Sequence, residues 1–313
     1  MAVIVHNWSE FITAVGTSGA DVEFPKSLVK TQDTDVDPNK LYTDANGVVQ
    51  TNVQPSDLAD LYENTFVLDA NSSDGFPEGV TSTITINCAS INGYGGCIKN
   101  LASTTVDIFA NSAEVNVDQL TILNTNVENV SFIDTTAASV IYTKCIFSGR
   151  AKGNTSTTHT VFGDVTNTHS SAYSSCSFNF DVIGSYNLFN YLNYGGYNYA
   201  CHFYNCRIEI NHTDKDGIPA SGGVWVRLDN SYLTGELDSS VYVNITSRSY
   251  YSVIEVESAG SILTYDPIGG TIQLILINNE LYTGNIPTNC VGVTTEQLKD
   301  AEYLASLGFP VQT

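Results

Sequence analysis

A short pattern recurs through the middle of the chain: a polar residue, then Cys or Ser, then any residue, then a large apolar one. It reads Lys144-Cys145-Ile146-Phe147, Ser175-Cys176-Ser177-Phe178, Asn205-Cys206-Arg207-Ile208 and Asn230-Ser231-Tyr232-Leu233. The pivots at 145, 176, 206 and 231 are spaced by 31, 30 and 25 residues. Periods of this size belong to solenoids, in which one repeat cannot bury its apolar face alone and must stack on its neighbours. Equivalent residues then lie one above the other at the strand spacing, about 4.8 Å. Cys145, Cys176 and Cys206 are expected to form an internal ladder of small, soft side chains.

Composition decides which kind of solenoid. Only 14% of the 313 residues are charged, and Asn, Thr, Ser, Gly and 18 Tyr take their place. These are residues of turns and pleated surfaces, while helix formers are scarce. Around the pivots, Ile84-Thr85-Ile86, Val241-Tyr242-Val243-Asn244-Ile245, Ser252-Val253-Ile254-Glu255-Val256 and Thr271–Ile277 alternate or run apolar as strands do. The reading is all-β: a single-stranded parallel β-helix, expected to be right-handed, with short helical caps at both ends.

Four segments follow. Residues 1–25 are expected to hold a capping helix, with Trp8, Phe11, Ile12, Ala14 and Val15 at helical spacing and Gly16 as the stop, followed by a strand. Residues 26–80, richer in Asp, Asn and Pro, form an irregular acidic shoulder. Residues 81–290 are the body. In 291–313, Thr294 and Gln297 make a capping box and Val293 and Leu298 a hydrophobic staple. The helix they start carries Leu298, Ala301, Leu304 and Ala305 on one face.

Charge excludes some partners. Thirty-three acidic residues against 12 basic ones give a net charge of −21, which repels phosphate backbones and anionic lipid surfaces. No apolar run approaches a membrane span, and residues 1–6 lack the features of a secretory signal. The expectation is synthesis in a cytoplasm. Seven cysteines, an odd number, speak for buried thiols rather than a closed disulfide framework.

Several residues could carry chemistry. Glycoside hydrolysis needs two carboxyl groups about 5 to 9.5 Å apart. Asp181 and Glu209, five and three residues from their pivots, are the pair that could meet on neighbouring coils, although an acidic chain brings some carboxylates together by chance. Asp229, two before its pivot, is less well placed. A lyase needs a basic residue, and Arg207 and Arg227 are the body candidates in register. Asp33, Asp35 and Asp37 imitate the alternating ligands of a calcium loop, but Pro38 stands where an EF-hand needs Gly, so a solvated acidic loop is the plainer reading and no cofactor is expected. Tyr186, Tyr191, Tyr194, Tyr197 and Tyr199 crowd around Gly195-Gly196; exposed rings here would serve a glycan or a neighbouring subunit, and buried ones would pack the rod. Leu298, Leu304 and Phe309 either close the last coil or anchor the protein to a larger particle.

The opening Asn7-Trp8-Ser9-Glu10-Phe11…Ala14-Val15 and the closing Gly292–Val311 resemble the ends of pectate-lyase-like β-helix proteins of bacteriophage virions. The ending resembles the closing segment of head-fibre proteins from phages of Gram-positive bacteria. The resemblance implies a virion surface protein, as a head fibre, capsid decoration or spike, made in the bacterial cytoplasm. Capsid or other virion proteins, and host-surface glycans, are the implied partners, and a homotrimer the implied assembly. No separate N-terminal particle-binding domain is evident, which favours a compact, non-catalytic head appendage over a polysaccharide-cutting tailspike.

Overall fold

Gln119, Lys144, Ser175, Asn205 and Asn230 share a backbone conformation that L-residues adopt sparingly, with φ of 55°, 50°, 54°, 53° and 48°. A single left-handed residue turns an extended chain sharply without breaking its hydrogen bonds to neighbours. Each of these residues ends one strand and is followed by a buried residue that opens the next: Leu120, Cys145, Cys176, Cys206 and Ser231. The recurring pattern is thus a repeated corner. A computed structural model of the chain describes residues 2–71, 76, 80–134, 140–154, 159–162, 171–189, 191–194, 197–246, 252–257, 261–265, 273–277, 280–281 and 290–309.

The corners join two long parallel sheets. The first runs from Val3–Ile4 and Asp21–Glu23 through Val115–Asp118, Val140–Thr143, Ala172–Ser174, Tyr197–Tyr204 and Gly222–Asp229 to Ser261–Tyr265. The second runs from Val67–Asp69 through Thr121–Glu128, Ile146–Lys152, Ser177–Ile183 and Arg207–His212 to Gln273–Ile277. A third, shorter sheet holds Ile84–Ile86, Phe109–Asn111, Ile133–Asp134, His159–Phe162 and Tyr186–Phe189. The chain visits the sheets in turn, and every pairing along these three paths but one is parallel (the last, Glu280–Leu281, is antiparallel). The protein is an all-β parallel β-helix.

Register converts sequence alternation into an inside and an outside. Phe147, Phe178 and Ile208 lie in register, as do Tyr142, Tyr173 and Phe203. Their rings stack face to face, Phe147 on Phe178 at 5.0 Å and Tyr142 on Tyr173 at 5.0 Å. Phe109, Phe132 and Phe162 follow edge to face at 5.6 and 5.7 Å. Such ring pairs add about 0.5–1.5 kcal/mol each beyond their buried area.

The cysteine ladder forms as expected, and it is hydrogen-bonded. The backbone N–H of Cys145 donates to Cys176 Sγ and that of Cys176 to Cys206 Sγ, both at 3.4 Å. Serine continues the column: Cys206 N–H donates to Ser231 Oγ at 3.0 Å, and Ser231 N–H to Ser252 Oγ at 3.1 Å. Burial pushes the Cys176 thiol well above its ordinary range.

Three expectations are corrected. The parallel stack begins before residue 81, because Val3–Ile4 pairs with Val22–Glu23 and Val67–Asp69 with Cys97–Lys99. The shoulder is not wholly irregular: Leu28–Lys30, Tyr42–Thr43 and Tyr62–Asn64 form a small antiparallel sheet. Near the C-terminus Asp300 breaks the expected helix in two, accepting from the N–H groups of Glu302 and Tyr303 to cap Ala301–Ser306. Ala301 and Ala305 are consequently exposed instead of sharing a buried face with Leu298 and Leu304. The capping box of Thr294 and Gln297 is formed. At the other end Asn7 caps the helix Trp8–Gly16, which buries Trp8, Phe11, Ala14 and Val15.

Candidate functional site

On the outward face of the first sheet, corner spacing brings one charged group together. His202 and Arg227 each stand four residues before a pivot, so they are register partners on adjacent strands, and Tyr204 is likewise paired with Asp229. His202 Nε2 donates to Asp229 Oδ2 at 2.5 Å, and Arg227 Nη2 donates to the same oxygen at 3.5 Å. Asp229 is only 8% exposed, and its other oxygen Oδ1 and the Arg227 Nε have no hydrogen-bond partner. A buried carboxylate oxygen without a donor costs about 1–3 kcal/mol, so the arrangement is not one that stability alone favours. Trp225, two residues along the same face, sets its ring edge-on to Tyr242 at 5.3 Å. Together these residues offer a carboxylate, an imidazole, a guanidinium and two half-buried aromatic rings.

The anticipated acid pair does fall on neighbouring strands. Asp181 is in register with Arg150 and Asn211, and Glu209 with Asn179, so the two acids are diagonal neighbours on the outer face of the second sheet. Asp181 accepts from Asn211 Nδ2 at 3.4 Å and pairs with Lys215 at 3.6 Å. It lines a shallow hollow with Asn126, Ser148 and Asn179, and Glu209 is not on that hollow's wall. The two acids thus stand on one face of adjacent strands, with Asp181 already engaged by Asn211 and Lys215.

In the shoulder, Asp33 is taken up by its own surroundings. Its carboxylate accepts from Tyr42 Oη at 2.6 Å and from Lys40 Nζ at 2.9 Å, and these bonds hold its pKa below the ordinary carboxylate range. Burial and the same carboxylate push the Tyr42 phenol up to about 12. Asp37 accepts from the Asn39 N–H, an Asx turn within the loop, and Asp35 makes no hydrogen bond or ion pair among the described residues. Among the described residues no group of three or more His, Cys, Asp or Glu is placed to hold a metal ion.

Tyr186 is a correction. It is fully buried, and its hydroxyl donates to Val130 O at 2.5 Å and accepts from Val130 N–H at 3.1 Å, so it packs the rod. The backbone of Tyr191–Tyr194 and Tyr197–Tyr204 forms an antiparallel hairpin; the side chains of Tyr191, Tyr194, Tyr197 and Tyr199 lie outside the described residues. Leu298, Leu304 and Phe309 pack around Val293 together with Val253 and Val291, against the end of the second sheet. No family model matches the chain, and neither a curated protein nor a solved structure matches it.

Proposed function

We propose that the protein is a non-catalytic structural protein of a bacterial virus, displayed on the particle surface as a β-helical rod. Head fibre, capsid decoration and spike are the forms this role takes, with capsid or other virion proteins as partners and a homotrimer as the assembly. The terminal segments supply the viral part of the reading. The observation that carries the rest is the continuous parallel stack from Val3 to Gly292, whose inward residues are spent on packing and whose corner residues bond coil to coil. Asp181, held by Asn211 and Lys215, supports display over cutting. Purified particles analysed by mass spectrometry and antibody labelling test the reading: stoichiometric protein on the outside is expected, and its absence from particles would overturn it.

A second reading, a receptor-binding spike that holds host glycans, is favoured by the His202–Arg227–Asp229 group beside Trp225 and Tyr242. Hydroxyl-rich ligands suit a site combining part-exposed polar side chains with flat rings. Glycan-array binding that disappears in Trp225→Ala and Asp229→Asn is expected on this reading, and arrays blank for the unaltered protein would remove it.

A further inference from the structure

A cleft of about 710 Å3 runs along the repeated corner where the first and second sheets meet. Its floor is the corner itself, with Lys144, Ser175, Asn205, Arg207, Asn230 and Tyr232 on successive coils. One wall is the shoulder, which presents Val36, Leu41 and Val53, and Phe309 stands at the far end. The shoulder is tied over the floor by two long-range bonds, Lys144 Nζ to Val49 O at 3.1 Å and Val49 N–H to Gln119 Oε1 at 2.8 Å. We infer that this cleft binds an extended acidic segment of a partner protein, one in which acidic and apolar residues alternate.

Charge points to an acidic occupant. The chain as a whole carries −21, yet Lys40, Lys144 and Arg207 line this cleft against the single acid Asp37. Lys40 is satisfied by Asp33 and Glu63. Lys144 spends its ammonium on a neutral carbonyl, and exposed Arg207 has no ion pair among the described residues. Two uncompensated cations on one side of a cleft in so acidic a protein are a specific attraction for carboxylates, felt within a Debye length of about 8 Å.

The two walls point to an alternating peptide. Floor backbone groups are unavailable, because the N–H groups of Lys144, Ser175 and Asn205 donate to Ser174, Tyr204 and Asp229 on the next coil. A ligand therefore meets only side chains on the floor, polar and cationic ones. The facing wall is mixed: Val36, 37% exposed, Leu41 and Val53 form an aliphatic strip beside the polar side chains of Gln50, Thr51 and Asn52. In an extended peptide successive side chains point to opposite sides. An acid–apolar alternation puts every carboxylate over Lys144 and Arg207 and every apolar side chain against Val36, Leu41 and Val53.

Fluorescence anisotropy with four synthetic ten-residue probes tests this on the full chain: alternating Asp-Val, the charge-reversed Lys-Val, the polar Asp-Ser, and a carboxylated glycan of similar length. Asp-Val is expected to bind at least about ten-fold tighter than Lys-Val and Asp-Ser, and to weaken about ten-fold in Arg207→Glu. Arg207 is exposed and unpaired, so this variant keeps its melting temperature; Lys144→Met, with circular dichroism to confirm folding, gives an independent loss. Equal binding of all peptides, undiminished binding in both variants, or binding of the glycan alone would each overturn the proposal. Because the assay needs no particle, its failure is separate from failure of the virion reading.

Discussion

Phe178 and Lys40 show how differently two parts of one chain are held. Phe178 lies in the body, stacked on Phe147 and edge-on to Tyr173, Phe162 and Phe203, with almost no exposure. Lys40 lies in the shoulder at 36% side-chain exposure, where its ammonium gathers Asp33 and Glu63. The shoulder's own buried cluster is small, Tyr42, Leu58 and Leu61, whereas the body's core runs unbroken from Val5 to Val256. A repeated apolar column gains with every coil added, as nearest-neighbour stacking in solenoids does. A single polar knot gains nothing from repetition, and it gives its region a shape the repeat cannot. Here that shape is a wall standing over the corner.

The largest expected effect breaks the body. Phe178→Ala removes a ring from the middle of three columns and should cost about 3–5 kcal/mol, because the fixed backbone of neighbouring coils keeps the space from collapsing. Denaturant unfolding should show the loss in the main transition. Asp33→Asn in the shoulder keeps size and removes charge; the loss of a charge-assisted bond at a partly exposed position should cost about 1.5 kcal/mol. Hydrogen exchange should then quicken at Tyr42 and Glu63 while the amides of Phe178 and Ile208 stay protected. Faster exchange throughout the rod would mean that shoulder and body unfold as one unit.

Acid should separate the two regions further. His212 is buried at 1% exposure with a ring nitrogen bonded to Gly184 O at 2.9 Å, and burial lowers its pKa below the ordinary 6.5. The unfolded chain binds the proton more readily, so its contribution is present above about 6.5 and is lost as pH falls through the lower folded value. Asp33 is also lowered, from 3.8, so its contribution is present above that value and fades only below it. Between about pH 6.5 and 4 the body should therefore weaken while the shoulder keeps its knot. Melting curves over that range should flatten in His212→Asn; an unchanged slope would exclude His212 as the cause.

The same two regions divide what could be read in advance. The corner was legible because it has a local cause: a left-handed residue followed by a small buried one leaves a mark at Cys145, Cys176, Cys206 and Ser231 whatever the rest of the coil does. Of the third sheet only Ile84–Ile86 was, since strands such as Ile133–Asp134 are too short to show alternation. Nor was the shoulder sheet, whose strands are two or three residues long. Tyr186 was misjudged because a tyrosine reads alike in a column and on a surface; only the hydroxyl's bonds to Val130 decide. Of the His202–Arg227–Asp229 group, Arg227 and Asp229 were marked by their register, and His202 carried the same signal unread. Counting four residues back from Cys206 and Ser231 places His202 beside Arg227, and two back from Ser231 finds Asp229.

The smallest effect sharpens the comparison most, because a polar substitution inside the body should be gentler than an apolar one. Cys206 accepts the N–H of Cys176 at 3.4 Å, and its thiol lies 3.3 Å from Tyr173 O and 3.4 Å from Tyr204 O. One coil on, Ser231 fills the same rung, accepting from Cys206 N–H and donating to Asp229 O at 2.9 Å. Cys206→Ser should therefore find its partners in place and cost under about 1 kcal/mol. Cys206→Val fills the volume but leaves the Cys176 N–H without an acceptor, a loss of about 1–3 kcal/mol. Paired denaturation curves would measure the order. If valine proved the better tolerated, the ladder would be held by packing alone, and its backbone N–H bonds would add nothing to the stability of the body.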